Sequence, residues 1–350
     1  MGIHDNFFEL GGHSLLAVRV LARILERWPY LQLTIASFLQ APTIAEFAAI
    51  VRSDQQVPTE CVVPFRKSGT RPPFFCLPGG GGNIVSLRRL AAGMSKEQPF
   101  YCLQAKGLDG TDPLRTVEEA AGFYIEKIRT IQPHGPYNVG GACFGGLVAF
   151  EVACRLREHG EEIGLLTLID TYNFAYGRSL PKPRLLYENL RFYARRTRYH
   201  VRNMRTVAWK NRVGYALART EAVRLYLKDL LGVTKNSRNQ LPILVPPVQV
   251  GEEAGVMRET LNRVTKASVE AARTYMPHYY PGEILLFKAS ERLAEPYEDS
   301  ALGWTPFASH VKIAEIDANH ENILDRIASR IEAAIQQKCP PKPKFEKKSA

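Results

Sequence analysis

No stretch of this 350-residue sequence is apolar over the twenty or so residues that a bilayer-spanning helix needs, and its start lacks the charged-then-apolar pattern of a secretory leader. A soluble, cytoplasmic protein without a membrane partner is expected. Cysteine is sparse: Cys61, Cys76, Cys102, Cys143, Cys154 and Cys339 are scattered, with no CxxC pair and no Cys/His spacing. That argues against a disulfide framework and against a zinc site, so no metal is expected and the thiols should be reduced.

Acidic residues are outnumbered, 35 Asp and Glu against 46 Lys and Arg, for a net charge of +11. The excess is local. Between Arg178 and Arg238 sixteen basic residues face only Glu188, Glu221 and Asp229, and the remainder of the chain is close to neutral. Basic residues there alternate with aromatics and leucines at helical spacing, as in an inserted set of amphipathic helices. This confined charge suits a solvated face or an acidic protein partner better than nucleic acid, which is not expected as a partner.

What is present is punctuation. Residues 1–53 read as a small helical unit with an amphipathic helix from near Ser14 and a second helix at 43–53. Prolines 58, 64, 72 and 73 mark 54–72 as a linker. From Pro73, short apolar runs at 74–77, 100–105, 137–141, 165–170, 283–289 and 311–317 alternate with helical patterns at 85–94, 117–131, 147–160 and 321–337. Such alternation predicts an α/β domain with a mainly parallel sheet over 73–338. The basic insert falls inside it as a helical lid over about 173–278, and 339–350 reads as a disordered basic tail.

In YNVGGACFGGLVAFEVA, residues 137–153, an apolar strand breaks at glycines and resumes as a helix. Gly141, Cys143 and Gly145 form GxCxG where a nucleophile elbow usually has GxSxG. The glycines let strand and helix crowd together, while the middle residue projects at a helix N-terminus that favours a thiolate. An α/β-hydrolase elbow requires an acid and then a histidine later in the chain. Asp170 ends the next apolar run and His320 follows the last one, with Asp317 a local competitor for the acid. The loop LPGGGGN at 77–83 allows close backbone approach. No Lys-Ser/Thr follows it, so it is not a phosphate loop. Gly80 and Phe144 are the expected amide donors of an oxyanion hole.

Two motifs then point to families. HDNFFELGGHSLLA resembles the attachment site of peptidyl carrier domains, which implies 4′-phosphopantetheine on the hydroxyl of Ser14. The first helix of that family would precede Met1, so 1–53 would be a partial carrier. PFFCLPGGGG, GGACFGG, LLTLID and the histidine loop together resemble the type I thioesterase domain of nonribosomal peptide synthetases and mixed polyketide assembly lines. The resemblance implies an α/β-hydrolase fold, a catalytic set of Cys143, Asp170 and His320, and a lid after the acid-bearing strand. The implied partners are a carrier with its thioester-bound chain and upstream synthetase modules. The implied activity is chain release by hydrolysis or by cyclisation to a lactone or lactam. Cys143 stands where the family usually has serine, either as a natural nucleophile or as a replacement for one. The rival readings are a carboxylesterase and a catalytically dead hydrolase-fold interaction module.

Overall fold

The computed structural model describes residues 2–52, 61–194, 255–291 and 299–339, apart from positions 13, 29–30, 32, 34–36, 39–40, 83, 189, 192–193 and 321. Most of the basic insert, including Arg195, Arg196 and Arg198, and tail residues 340–350 lie outside the described residues.

Seven strands form one sheet: β1 (Val62–Arg66), β2 (Phe74–Leu77), β3 (Phe100–Leu103), β4 (Tyr137–Ala142), β5 (Ile163–Ile169), β6 (Tyr280–Glu291) and β7 (Ala308–Asn319). Their order is β1-β3-β2-β4-β5-β6-β7. All neighbours are parallel except β1, which pairs antiparallel with β3. This is the α/β sheet expected from the alternating pattern. The 54–72 linker needs correction, because its second half supplies β1. Pro64 reads as a breaker but is tolerated here because β1 has only one sheet neighbour, so a missing N–H is harmless.

The inner strands are apolar on both faces because both are covered. Phe74, Cys76, Leu165, Ile169, Leu285 and Phe287 point to one layer, packed by α3 (Leu87–Ala92) and α8 (Ala328–Lys338). Their sequence neighbours Phe75, Leu77, Leu166, Leu168, Ile284 and Leu286 point to the other, packed by α4 (Val117–Ile131) and α5 (Phe144–Glu158). The period of two along each strand sorts these side chains. Each fully buried Leu or Phe contributes about 1.5–3 kcal/mol by its removal from water. Cys339, expected in the tail, is instead buried and lies 3.7 Å from Asn138 Oδ1.

Helices also pack beside and above the sheet. The N-terminal unit holds α1 (Ser14–Arg27) and α2 (Ile44–Arg52), packed on a cluster of Phe7, Phe8, Phe38 and Phe47 whose neighbouring rings lie 4.8–6.1 Å apart. Beyond β5, after a single turn α6 (Tyr176–Ser179), α7 (Gly255–Thr274) lies over the glycine loop between β2 and α3.

Candidate active site

Strand β4 ends at Ala142 and α5 begins at Phe144, leaving one residue for the reversal. That residue, Cys143, has φ 53° and ψ −119°, a left-handed conformation costing about 1–3 kcal/mol for a side chain with a Cβ. Its N–H still donates to Ile169 O at 2.9 Å, so the sheet ladder continues up to the turn. The flanking glycines are needed for space. A Cβ on Gly145 would run into the carbonyl oxygens of Leu77 and Pro78, and one on Gly141 into the carbonyl of Gly145.

Asp170 repeats the arrangement one strand over. It follows β5 with φ 48°, and its N–H donates to Phe287 O at 2.8 Å. Only 3% exposed, its carboxylate is shared: Oδ1 accepts from the Ala289 N–H at 2.9 Å, and Oδ2 lies 2.6 Å from Nδ1 of His320. A carboxylate only accepts, so the proton between them sits on Nδ1. That leaves Nε2 of His320 for the hydrogen bond this ring makes with Cys143. Asp317 is exposed on β7, so the histidine's acid is Asp170. His134, His159 and His310 are engaged elsewhere, with Glu161, the Arg155 carbonyl and Glu283. His200 lies outside the described residues.

Desolvation of the Cys143 thiol by surrounding protein is the largest single influence and raises its pKa. The hydrogen bond and charge of His320, with hydrogen bonds from the backbone amides of Phe144 and Gly80, together outweigh it, so the pKa is lowered. The residue remains solvent-accessible. The other five thiols go the opposite way through burial: Cys61 is pushed up to about 11, Cys154 to about 12, and Cys76, Cys102 and Cys339 are raised. Of the six thiols, Cys143 is thus the one that is exposed and whose pKa is lowered.

The amides of Gly80 and Phe144 both act to lower the thiol's pKa, one from the loop after β2 and one from the first residue of α5. Gly82, with φ 70°, closes that loop through its N–H to Gly79 O at 2.8 Å. The helical lid expected over about 173–278 takes in α7, though the sequence did not show which of its residues meet the glycine loop. Along α7, Val264 lies against Gly82, Thr265 against Gly81 and Ser268 against Gly80. The spacing of Leu261, Val264, Ser268, Ala271 and Tyr275 would have revealed a helix, though not the surface it covers. Ser14 is the first residue of α1 and follows a turn at Gly11 with φ 93°. A serine at a helix N-terminus suits a phosphodiester, because the free amides of the first turn favour negative charge.

Residues 72–188 match the family model for the thioesterase domain, and residues 1–51 match that for the phosphopantetheine attachment site. Malpibaldin synthetase from Mortierella alpina is 45% identical over 175 residues, which cover 49% of this chain and 3% of that protein. A dimodular nonribosomal peptide synthase from Bacillus subtilis (strain 168) is 39% identical over 174 residues, 49% of this chain and 7% of that protein. The chain therefore spans only a small part of the length of these synthetases. A crystal structure of a four-domain holo nonribosomal peptide synthetase bound to AMP and glycine superimposes with a TM-score of 0.56 and 24% identity, over 97% of this chain and 25% of that one. The type II thioesterase BorB of the borrelidin cluster gives 0.50 and 15%, over 79% and 97%. Both share the fold.

Proposed function

We propose that this chain, a phosphopantetheine-carrier segment followed by a thioesterase domain of the α/β-hydrolase superfamily, releases an acyl or peptidyl chain through a covalent intermediate on Cys143. The observation that supports it most is the relay from buried Asp170 through His320 to a thiol held at a strained elbow.

Ser14 would hold 4′-phosphopantetheine through its hydroxyl, and the group would supply a terminal thiol able to carry the chain as a thioester. His320 Nε2 takes the Cys143 proton, while Asp170 steadies the resulting imidazolium through Nδ1–H. The sulfur attacks the thioester carbonyl, whose oxygen, now anionic, accepts from the Gly80 and Phe144 amides. As the tetrahedral centre collapses, the carbon–sulfur bond to the leaving thiol breaks, and that thiolate takes the proton from His320. One thioester has been exchanged for another, so the acyl-enzyme keeps its reactivity. His320 Nε2 next removes a proton from water or from a nucleophile within the chain; attack on the acyl carbon breaks its bond to Cys143 Sγ, His320 returns the proton to that sulfur, and the product leaves as the free acid or as a lactone or lactam. Retained reactivity suits ring closure as well as hydrolysis.

The partners in this reading are the carrier with its bound chain and upstream synthetase modules, and a reducing cytoplasm suits a nucleophilic thiol. Turnover of a soluble acyl-pantetheine thioester tests it. Product mass should show acid or ring, and both Cys143→Ala and His320→Ala should abolish turnover. Turnover that survives Cys143→Ala would reject the assignment.

A further inference from the structure

Apolar residues of the carrier segment and the thioesterase domain form a single cluster. Ala17, Leu21, Leu33, Phe38 and Phe47 pack with Val85, Leu108, Leu261 and Val264. At its edge the Arg88 guanidinium lies 4.2 Å over the Phe8 ring, close enough to Glu9 for that carboxylate's charge to act on it. Leu261 and Val264 belong to α7, the helix that roofs the glycine loop.

The two halves of α7 are held differently. Towards its C-terminus, Ala271, Ala272 and the following Tyr275 are built into the core under α5, and Tyr275 Oη donates to the buried Glu151 at 2.9 Å. Towards its N-terminus the helix rests on the carrier cluster, and Arg263 reaches the carbonyls of Gly110 and Thr111. Its contact with the loop is through packing: the Thr265 hydroxyl is buried against Gly81 and has no hydrogen-bond partner among the described residues. Val264 takes part on both sides, touching Gly82 and joining the carrier cluster. A helix anchored at one end and pressed at the other transmits that pressure to what lies beneath it, because close-packed interiors yield little.

We propose that carrier docking, besides delivering substrate, seats α7 on the glycine loop and so aims the Gly80 amide at the reacting carbonyl oxygen. This rests on the proposed release chemistry but adds a positioning role that delivery alone does not need. Arg88 and Glu9 are its handles, since neither lies in α7, the glycine loop or the catalytic set.

The experiment uses the whole chain and a soluble acyl-pantetheine thioester, which needs no docked carrier to arrive. Arg88→Glu places a negative charge against Glu9 and removes the cation from Phe8; Glu9→Arg places a positive charge against Arg88 on an exposed position. Each single variant should lower kcat about tenfold with little change in KM, less than the roughly 10²–10³ that losing one oxyanion donor outright costs. Hydrogen exchange over residues 77–83 should accelerate in both, and the double exchange Glu9→Arg/Arg88→Glu should restore rate and protection. Unchanged kcat and exchange in both single variants would leave docking with delivery alone and overturn the proposal. A fall in kcat without faster exchange would overturn it too, since the effect would not pass through the loop. A parent chain that fails to turn over the soluble thioester would refute the proposed function, and loop exchange alone would then decide the coupling.

Discussion

Asp170 Oδ2 and His320 Nδ1 lie 2.6 Å apart although 150 positions separate them in the chain. Both follow parallel strands, β5 and β7, with β6 between them, and the central strand supplies the third support: Ala289 of β6 donates its N–H to the other carboxylate oxygen. The carboxylate is therefore aimed by the sheet itself.

Asp170→Asn should uncouple this relay. An amide offers one oxygen where the carboxylate offers two, so the Ala289 N–H and the His320 Nδ1–H can no longer both have an oxygen acceptor on this side chain. The favoured histidine tautomer is lost. A fall in kcat of about 10²–10⁴ is expected with little change in KM, measured on a soluble thioester. A loss below threefold would mean that His320 is oriented by something else.

The thiol should titrate early. His320 and the two amides lower the Cys143 pKa against the effect of desolvation. The pH midpoint of its alkylation by iodoacetamide should then fall below that of the same thiol freed of these partners. In His320→Ala the largest lowering influences vanish while desolvation stays, so the midpoint should move up and the rate at neutral pH should drop. Peptide mapping of the alkylated product assigns the signal to Cys143.

Gly145→Ala should cost stability before it costs chemistry. Its Cβ would meet two backbone carbonyl oxygens, which cannot rotate away as a side chain could. Backbone displacement at the crossing of β2 and α5 is expected to cost on the order of 3 kcal/mol or more. Thermal melting should show it as a drop of several degrees, with the thiol's low pKa lost in whatever fraction still folds.

Much of this site was legible because its chemistry demands an order. A nucleophile between glycines, an acid at the end of the next strand and a histidine after the last leave few candidates in any chain, and here they single out Cys143, Asp170 and His320. The α/β sheet was legible for a related reason: strands buried on both faces are continuous apolar runs, as at Phe74–Leu77, where expected and observed limits coincide. Edge positions were harder to read. Strand β1 carries Pro64, which only its place at the sheet margin excuses. Strand β7 lies at the other margin and is largely exposed, so only its middle, 311–317, stood out of the observed Ala308–Asn319. For α7, a place in the lid over about 173–278 was legible, but not which residues it sets on the glycine loop. Its 3–4 spacing is plain, but what it covers is decided by packing Thr265 and Ser268 onto glycines some 180 positions away. Such long-range pairings leave no local trace.

The central claim is a covalent acyl intermediate on Cys143. Intact-protein mass spectrometry after mixing the chain with a soluble acyl-pantetheine thioester tests it most directly. The account predicts a mass gain equal to the acyl group less one hydrogen, mapped to Cys143, decaying as acid or ring appears and absent in Cys143→Ala. Product formation with no adduct at Cys143, even when the reaction is quenched early, or an adduct that persists in Cys143→Ala, would contradict it.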